Sequence, residues 1–95
     1  MGLLSEAEVE EQLASLNGWS RDGAAIKRTF ECGDFVGSTN FVAEMVEPAE
    51  DMGHHPDLEI SWDQVTVTLS THSEGGLTKA DFELAGRIND LYPND

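Results

Sequence analysis

The amino-acid sequence predicts an α+β fold in which helices pack on one face of a four-stranded antiparallel sheet. Apolar residues recur at helical spacing in three segments, and they alternate with polar residues in the segments between. The predicted strands come in two consecutive pairs with short turns, which is typical of antiparallel hairpins. The predicted order is α-β-β-α-β-β-α, and residues 1–95 are expected to form a single domain with one modest core.

The first helix and the first hairpin carry recognisable start and stop signals. The segment Ser5-Glu6-Ala7-Glu8 is a capping-box pattern. Apolar residues then follow at helical spacing, namely Val9, Leu13 and Leu16. Asn17-Gly18 is expected to end this helix. The hairpin is predicted to turn at Asp22-Gly23, between a strand at Trp19-Ser20 and a strand from Ala25 to Cys32.

The middle helix is predicted from Asp34, which suits an N-cap position, to Gly53. Its apolar stripe is broad enough to serve both the core and a partner chain: Phe35, Phe41, Val42, Met45, Val46, Ala49 and Met52. Pro48 lies inside this stretch. We expect it to kink the helix or to restart it, because proline has no backbone N–H to donate.

The second hairpin and the last helix are the clearest elements. The first strand alternates apolar and polar residues from Leu58 to Asp63, and the second alternates from Val65 to Ser70. Their turn, near Asp63-Gln64, contains no glycine, so the register of the pair stays open. The segment Thr78-Lys79-Ala80-Asp81 is a second capping box. The helix that it opens carries apolar residues at helical spacing: Phe82, Ala85, Ile88 and Tyr92.

The charge of the chain limits its partners. Nineteen acidic residues and five basic residues give a formal net charge of −14. Such a surface repels phosphate backbones, so we expect no nucleic-acid binding. The acidic residues are scattered along the chain, which favours a surface adapted to a high-salt cytoplasm over one that binds a basic protein partner.

Composition also bears on location. The sequence has no apolar run of the ~18 residues that a membrane span needs, and its first residues do not resemble a signal peptide. Cys32 is the single cysteine and is expected to be an inert strand residue. These features predict a cytoplasmic protein that does not associate with membranes.

All three histidines of the chain fall within a short window. His54 and His55 precede Pro56, which disfavours helix at the residue before it. His72 follows the last predicted strand. Because antiparallel pairing returns the end of that strand to the start of its neighbour, we expect the three imidazoles to share one pocket. Imidazole titrates near neutral pH and suits both proton donation and acceptance.

Two acidic residues are candidates to support the histidines. Glu50 lies four residues before His54, where its carboxylate could orient that ring. Asp81 is already explained as a capping-box residue, although it could also face the pocket. The two adjacent histidines also have a simpler interpretation, as polar residues at a helix end. A zinc site is disfavoured because neighbouring helical side chains diverge by about 100°.

The full constellation resembles a known family. It consists of Glu50-Asp51-Met52-Gly53-His54-His55-Pro56, followed at fixed distances by Trp62, His72 and Asp81. This pattern is similar to that of the pterin-4a-carbinolamine dehydratases, and the likeness extends over nearly the whole chain. The resemblance implies a compact α+β fold, a homodimer or homotetramer, and no metal or organic cofactor.

The resemblance also implies an activity and a site. The activity is the dehydration of 4a-hydroxytetrahydropterin to quinonoid dihydropterin, a step of tetrahydrobiopterin recycling. The implied catalytic residues are His54, His55 and His72. The implied substrate contacts are these histidines with Pro56, Thr71, Ser73 and Glu74, and the implied supporting residues are Glu50, Trp62 and Asp81. Which histidine is the acid and which the base stays open, as does a non-catalytic alternative: a pterin-binding accessory protein or a protein-dimerisation cofactor.

Overall fold

A computed structural model describes residues 2–93. Within this range the chain forms one four-stranded sheet, four α-helices and a short 3₁₀ turn. In chain order they are α1 (Glu6–Ala14), β1 (Ser20–Asp22), β2 (Ala25–Glu31), α2 (Phe35–Glu44), α3 (Val46–Met52), β3 (Asp57–Ser61), β4 (Gln64–Leu69), the 3₁₀ turn (His72–Glu74) and α4 (Lys79–Leu91).

The sheet has the strand order β1-β2-β4-β3, and all neighbouring strands are antiparallel. Five side chains on one face of the two central strands point into the core and are completely buried: Ile26, Phe30, Val65, Val67 and Leu69. The core is closed on the same side by buried helix residues, including Phe41, Met45, Leu84 and Ile88. The predicted fold class, with helices on one face of the sheet, is therefore confirmed.

The predicted middle helix is divided in two. The break falls at Met45, between α2 and α3, and Pro48 lies in the first turn of α3. A proline is tolerated there because the first N–H groups of a helix have no intrahelical partner. The apolar stripe is divided as well: Phe41, Met45 and Ala49 are buried, whereas Phe35 and Val46 are exposed.

Both hairpin turns lie close to where the sequence places them. The first loop consists of Gly23 and Ala24, because Asp22 still pairs with Ala25. The second loop consists of Trp62 and Asp63, one residue earlier than predicted, since Ser61 pairs with Gln64. Trp62 has a φ of +50°, a left-handed conformation that costs a non-glycine residue about 1 kcal/mol. The Ser38 hydroxyl donates a hydrogen bond of 2.7 Å to the Trp62 carbonyl and holds the turn against α2.

The register of the hairpin formed by β3 and β4 decides which residues lie side by side at its open end. Asp57, the first residue of β3, pairs with Thr68 of β4. The segment containing the first two histidines therefore lies beside the exit of β4, which leads to His72. No helix within residues 2–93 is long and apolar enough to cross a membrane.

Candidate active site

The end of α3 directs His54 and His55 away from the helix. Gly53 adopts a left-handed conformation with a φ of +60°. The Gly53 N–H donates to the Glu50 carbonyl, and the His54 N–H donates to the Ala49 carbonyl. This pair of hydrogen bonds is a Schellman motif, which reverses the chain and favours glycine at its left-handed position. The two histidines therefore lie in the segment between α3 and β3, outside the helix.

The loop that follows β4 is held in place by backbone hydrogen bonds. Thr71 forms an isolated antiparallel bridge with Gly76, and its carbonyl accepts hydrogen bonds from Glu74 and Gly75. The 3₁₀ turn between these residues presents the His72 side chain to solvent. Residues 71–76 thus form a loop that is closed by backbone hydrogen bonds.

His54 pairs with a buried carboxylate. Its Nε2 lies 2.6 Å from Asp81 Oδ1, and the Asp81 side chain is completely buried. The second oxygen, Oδ2, accepts hydrogen bonds from the Thr78 N–H at 2.9 Å and from the Thr71 hydroxyl at 2.8 Å. An ionised carboxylate only accepts hydrogen bonds, so opposite an ionised Asp81 the donor of this contact is the Nε2–H group of His54. Nδ1 is then the ring nitrogen left for proton exchange when the ring is neutral.

The other two histidines have exposed partners. His55 Nε2 lies 2.6 Å from Glu50 Oε2, and each of these side chains is more than half exposed. His72 Nε2 lies 3.7 Å from Asp57 Oδ2, an ion-pair distance that is too long for a hydrogen bond. Each histidine in the chain therefore has a carboxylate of its own.

The chain is similar to known proteins over nearly its whole length. The family model for pterin 4 alpha carbinolamine dehydratase matches residues 2–91. A provisionally named pterin-4-alpha-carbinolamine dehydratase of Thermosynechococcus vestitus is 52% identical over 88 residues, which cover 93% of each chain. A similarly named protein of Koribacter versatilis is 41% identical, over 95% of this chain and 96% of its own.

This chain belongs to the pterin-4a-carbinolamine dehydratase family. Its fold matches the crystal structure of a Brucella melitensis protein described as a transcriptional coactivator/pterin dehydratase, with a TM-score of 0.90, 37% identity, and coverage of 95% of this chain and 98% of that one. A more distant structure is a pterin dehydratase-like protein identified as a RuBisCO assembly factor in the alpha-carboxysome. It shares the fold, with a TM-score of 0.70 and 21% identity over 83% of this chain and 94% of its own.

At this candidate site the structure changes one expected contact, that of Glu50, and combines two expected roles at Asp81. Glu50 was expected to orient His54, but it contacts His55 instead. The reason is the turn at Gly53, which ends helical spacing before His54 is reached. Asp81 combines the two interpretations that the sequence left open, because one oxygen caps α4 at Thr78 and the other contacts His54.

The other expected site residues differ in whether they lie near the histidines in the chain. Pro56, Ser73 and Glu74 lie on the segments that carry the histidines. Thr71 does too, but its hydroxyl donates to Asp81. Trp62 is not brought to the histidines: it lies at the opposite end of β3, roughly 16 Å along a five-residue strand.

Sequence inspection missed Asp57 and Thr78. Thr78 was seen only as part of a capping box, yet its N–H also helps to hold the carboxylate that contacts His54. Asp57 follows Pro56 directly in a chain rich in acidic residues, where one more carries no signal. Counting the hairpin register from the Trp62-Asp63 loop would have placed it beside the exit of β4.

The single cysteine lies away from the three histidines. Cys32 follows β2 at the other end of the sheet, where its N–H donates to the Asp63 carbonyl. Burial raises the pKa of its thiol, in keeping with an unreactive side chain. Within residues 2–93, no three His, Cys, Asp or Glu side chains are grouped closely enough to hold a metal ion.

Proposed function

We propose that this protein catalyses the dehydration of 4a-hydroxytetrahydropterin to quinonoid dihydropterin by histidine acid–base catalysis. The observation that carries the proposal is the buried pair of His54 and Asp81, found in a chain that belongs to this family. Asp81 fixes both the orientation and the tautomer of His54, as a carboxylate does for a histidine general base.

The reaction needs two proton transfers and consumes no net proton. The C4a–O bond breaks as the hydroxyl accepts a proton and leaves as water. A ring nitrogen next to C4a loses its proton, and its electron pair forms the new C=N bond. One group must therefore donate a proton and another must accept one, which imidazoles in different protonation states can do near neutral pH.

The geometry favours His54 as the principal acid–base residue. Its Nε2 is engaged by Asp81, so Nδ1 is the nitrogen that exchanges a proton with the substrate. His55 and His72 are exposed and free to meet a ligand, and we assign His55 to substrate binding and His72 to the second proton transfer. Pro56, Ser73 and Glu74 lie beside them and are the proposed pterin contacts.

The direct test measures the dehydration of synthetic 4a-hydroxytetrahydropterin against the uncatalysed rate. We expect His54→Gln, whose side-chain amide can still donate to Asp81, to lower kcat/KM by roughly 10²–10⁴-fold, the usual contribution of a general acid or base. Activity should persist in EDTA, since imidazole catalysis needs no metal. Wild-type protein that binds a pterin but does not accelerate dehydration would instead favour the non-catalytic accessory role.

We also propose a cytoplasmic homodimer or homotetramer that uses the outer surface of α2 and α3. Large apolar side chains remain exposed there, including Phe35, Val36 and Val46. Light scattering at micromolar concentration should show an oligomer, and Val46→Glu should weaken it. A wild-type monomer under these conditions would contradict the assembly but not the chemistry.

A further inference from the structure

The pair formed by His72 and Asp57 is not explained by any contact expected from the sequence. Asp57 opens β3, while His72 opens the 3₁₀ turn after β4. The atoms nearest to each other are His72 Nε2 and Asp57 Oδ2, at 3.7 Å. Among the three histidines, only His72 has neither a hydrogen-bonded carboxylate nor a side chain that is mostly buried.

We propose that Asp57 is a positioning residue for His72, orienting the imidazole toward the substrate as Asp81 orients His54. This inference rests on the proposed dehydratase function. In unliganded sites, catalytic hydrogen bonds are often long and shorten only when substrate binds. A shift of less than 1 Å would turn the present 3.7 Å separation into a hydrogen bond.

The backbones on both sides are suited to this role. Asp57 is paired with Thr68 in the sheet and follows Pro56, whose ring restricts the backbone before β3. His72 belongs to the loop closed by the Thr71–Gly76 bridge. Because both backbones are anchored, the two side chains meet by small rotations, without movement of either segment.

The neighbouring charges leave Asp57 available. Lys27 lies two strands away in the same row of the sheet, since it pairs with Thr68 and Thr68 pairs with Asp57. Lys27 forms its ion pair with Asp22 at 3.5 Å instead. Within residues 2–93, the ion-pair partner that the Asp57 carboxylate has is His72, once that ring is protonated.

The test compares Asp57→Ala, Asp57→Asn and Asp57→Glu with a matched control, Glu59→Gln. Glu59 lies two residues along the same strand, on the same exposed face of the sheet, and pairs with Thr66. We expect Asp57→Ala and Asp57→Asn to lower kcat about tenfold, less than the loss of an acid–base group itself. KM should stay within about twofold, Asp57→Glu should recover most of kcat, and Glu59→Gln should match the wild type.

A second readout does not depend on turnover. Relaxation of ¹³C at the ring C–H positions of His72 should show a ring that becomes restrained when 7,8-dihydropterin binds, in the wild type and in Asp57→Glu. The ring should be more mobile in Asp57→Ala. If the wild type has no dehydratase activity, the proposed function fails, while the relaxation data still decide whether Asp57 holds His72. Unchanged kcat and ring mobility in Asp57→Ala, or an equal loss in Glu59→Gln, would overturn the assignment.

Discussion

The buried pair His54–Asp81 and the exposed pair His55–Glu50 have the same separation, 2.6 Å between nitrogen and oxygen, yet different surroundings. Asp81 is completely buried and accepts two further hydrogen bonds, whereas Glu50 is 68% exposed. Electrostatic interactions are weakened by water and strengthened in a poorly polarisable interior. The two pairs should therefore differ in their effect on the histidine although their distances are equal. Asp81 should set the orientation of His54 and the ring nitrogen that carries its proton, whereas Glu50 should only influence the position of His55.

The largest effect is expected from Asp81→Asn. An amide cannot accept hydrogen bonds at both of its polar atoms, so either the Thr78 N–H, the Thr71 hydroxyl or His54 Nε2 loses its acceptor. We expect kcat to fall by roughly 10²–10⁴-fold and the free energy of unfolding to fall by about 1–3 kcal/mol. Stopped-flow assays and urea unfolding measure the two separately. An Asp81→Asn enzyme with wild-type kcat would show that burial of this pair serves folding alone.

A smaller effect is expected from Glu50→Gln. Exposed ion pairs contribute about 0–1 kcal/mol, so its free energy of unfolding should stay within about 0.5 kcal/mol of the wild type. We expect less than a tenfold loss in kcat/KM, arising mainly from KM, because His55 is assigned to binding. Glu47→Gln, in the first turn of the same short helix, is the control. A loss as large as that of Asp81→Asn would mean that exposure does not separate the two pairs.

The sequence predicted the fold well because its signals are local. Both capping boxes, at Ser5 and at Thr78, begin helices, and alternation in β4 separates buried from half-buried residues. Antiparallel pairing also predicted that the segment before β3 lies beside the exit of β4, as the pairing of Asp57 with Thr68 shows.

The histidine partners could not be predicted in the same way. Which carboxylate reaches which ring depends on one glycine, Gly53, whose left-handed turn exchanges the partner of Glu50. It also depends on the depth to which α4 buries Asp81, which the capping pattern does not reveal. Among nineteen acidic residues, the three that face histidines differ from the rest only in position. Position and burial result from packing across the whole chain.

The smallest effect is expected from a change in salt concentration. Raising potassium chloride from 0.1 M to 1 M shortens the Debye length from ~10 Å to ~3 Å, which screens exposed charges far more than buried ones. The folded chain carries a formal charge of −14, so screening should relieve its self-repulsion and raise the melting temperature by several degrees. Sucrose strengthens apolar burial without screening and should raise it less at matched water activity.

The same series of salt concentrations distinguishes the exposed pair, His55–Glu50, from the buried pair, His54–Asp81. The ratio of wild-type to Glu50→Gln activity should approach one in molar salt, because the exposed carboxylate is then screened from His55 in the wild type as well. The ratio for Asp81→Asn should hardly change, because no ions surround a completely buried carboxylate. Parallel responses of both ratios would show that salt acts on the whole fold and not on the exposed pair. A melting temperature that is flat across the series would remove the saline-habitat explanation of the acidic surface and favour a basic protein partner.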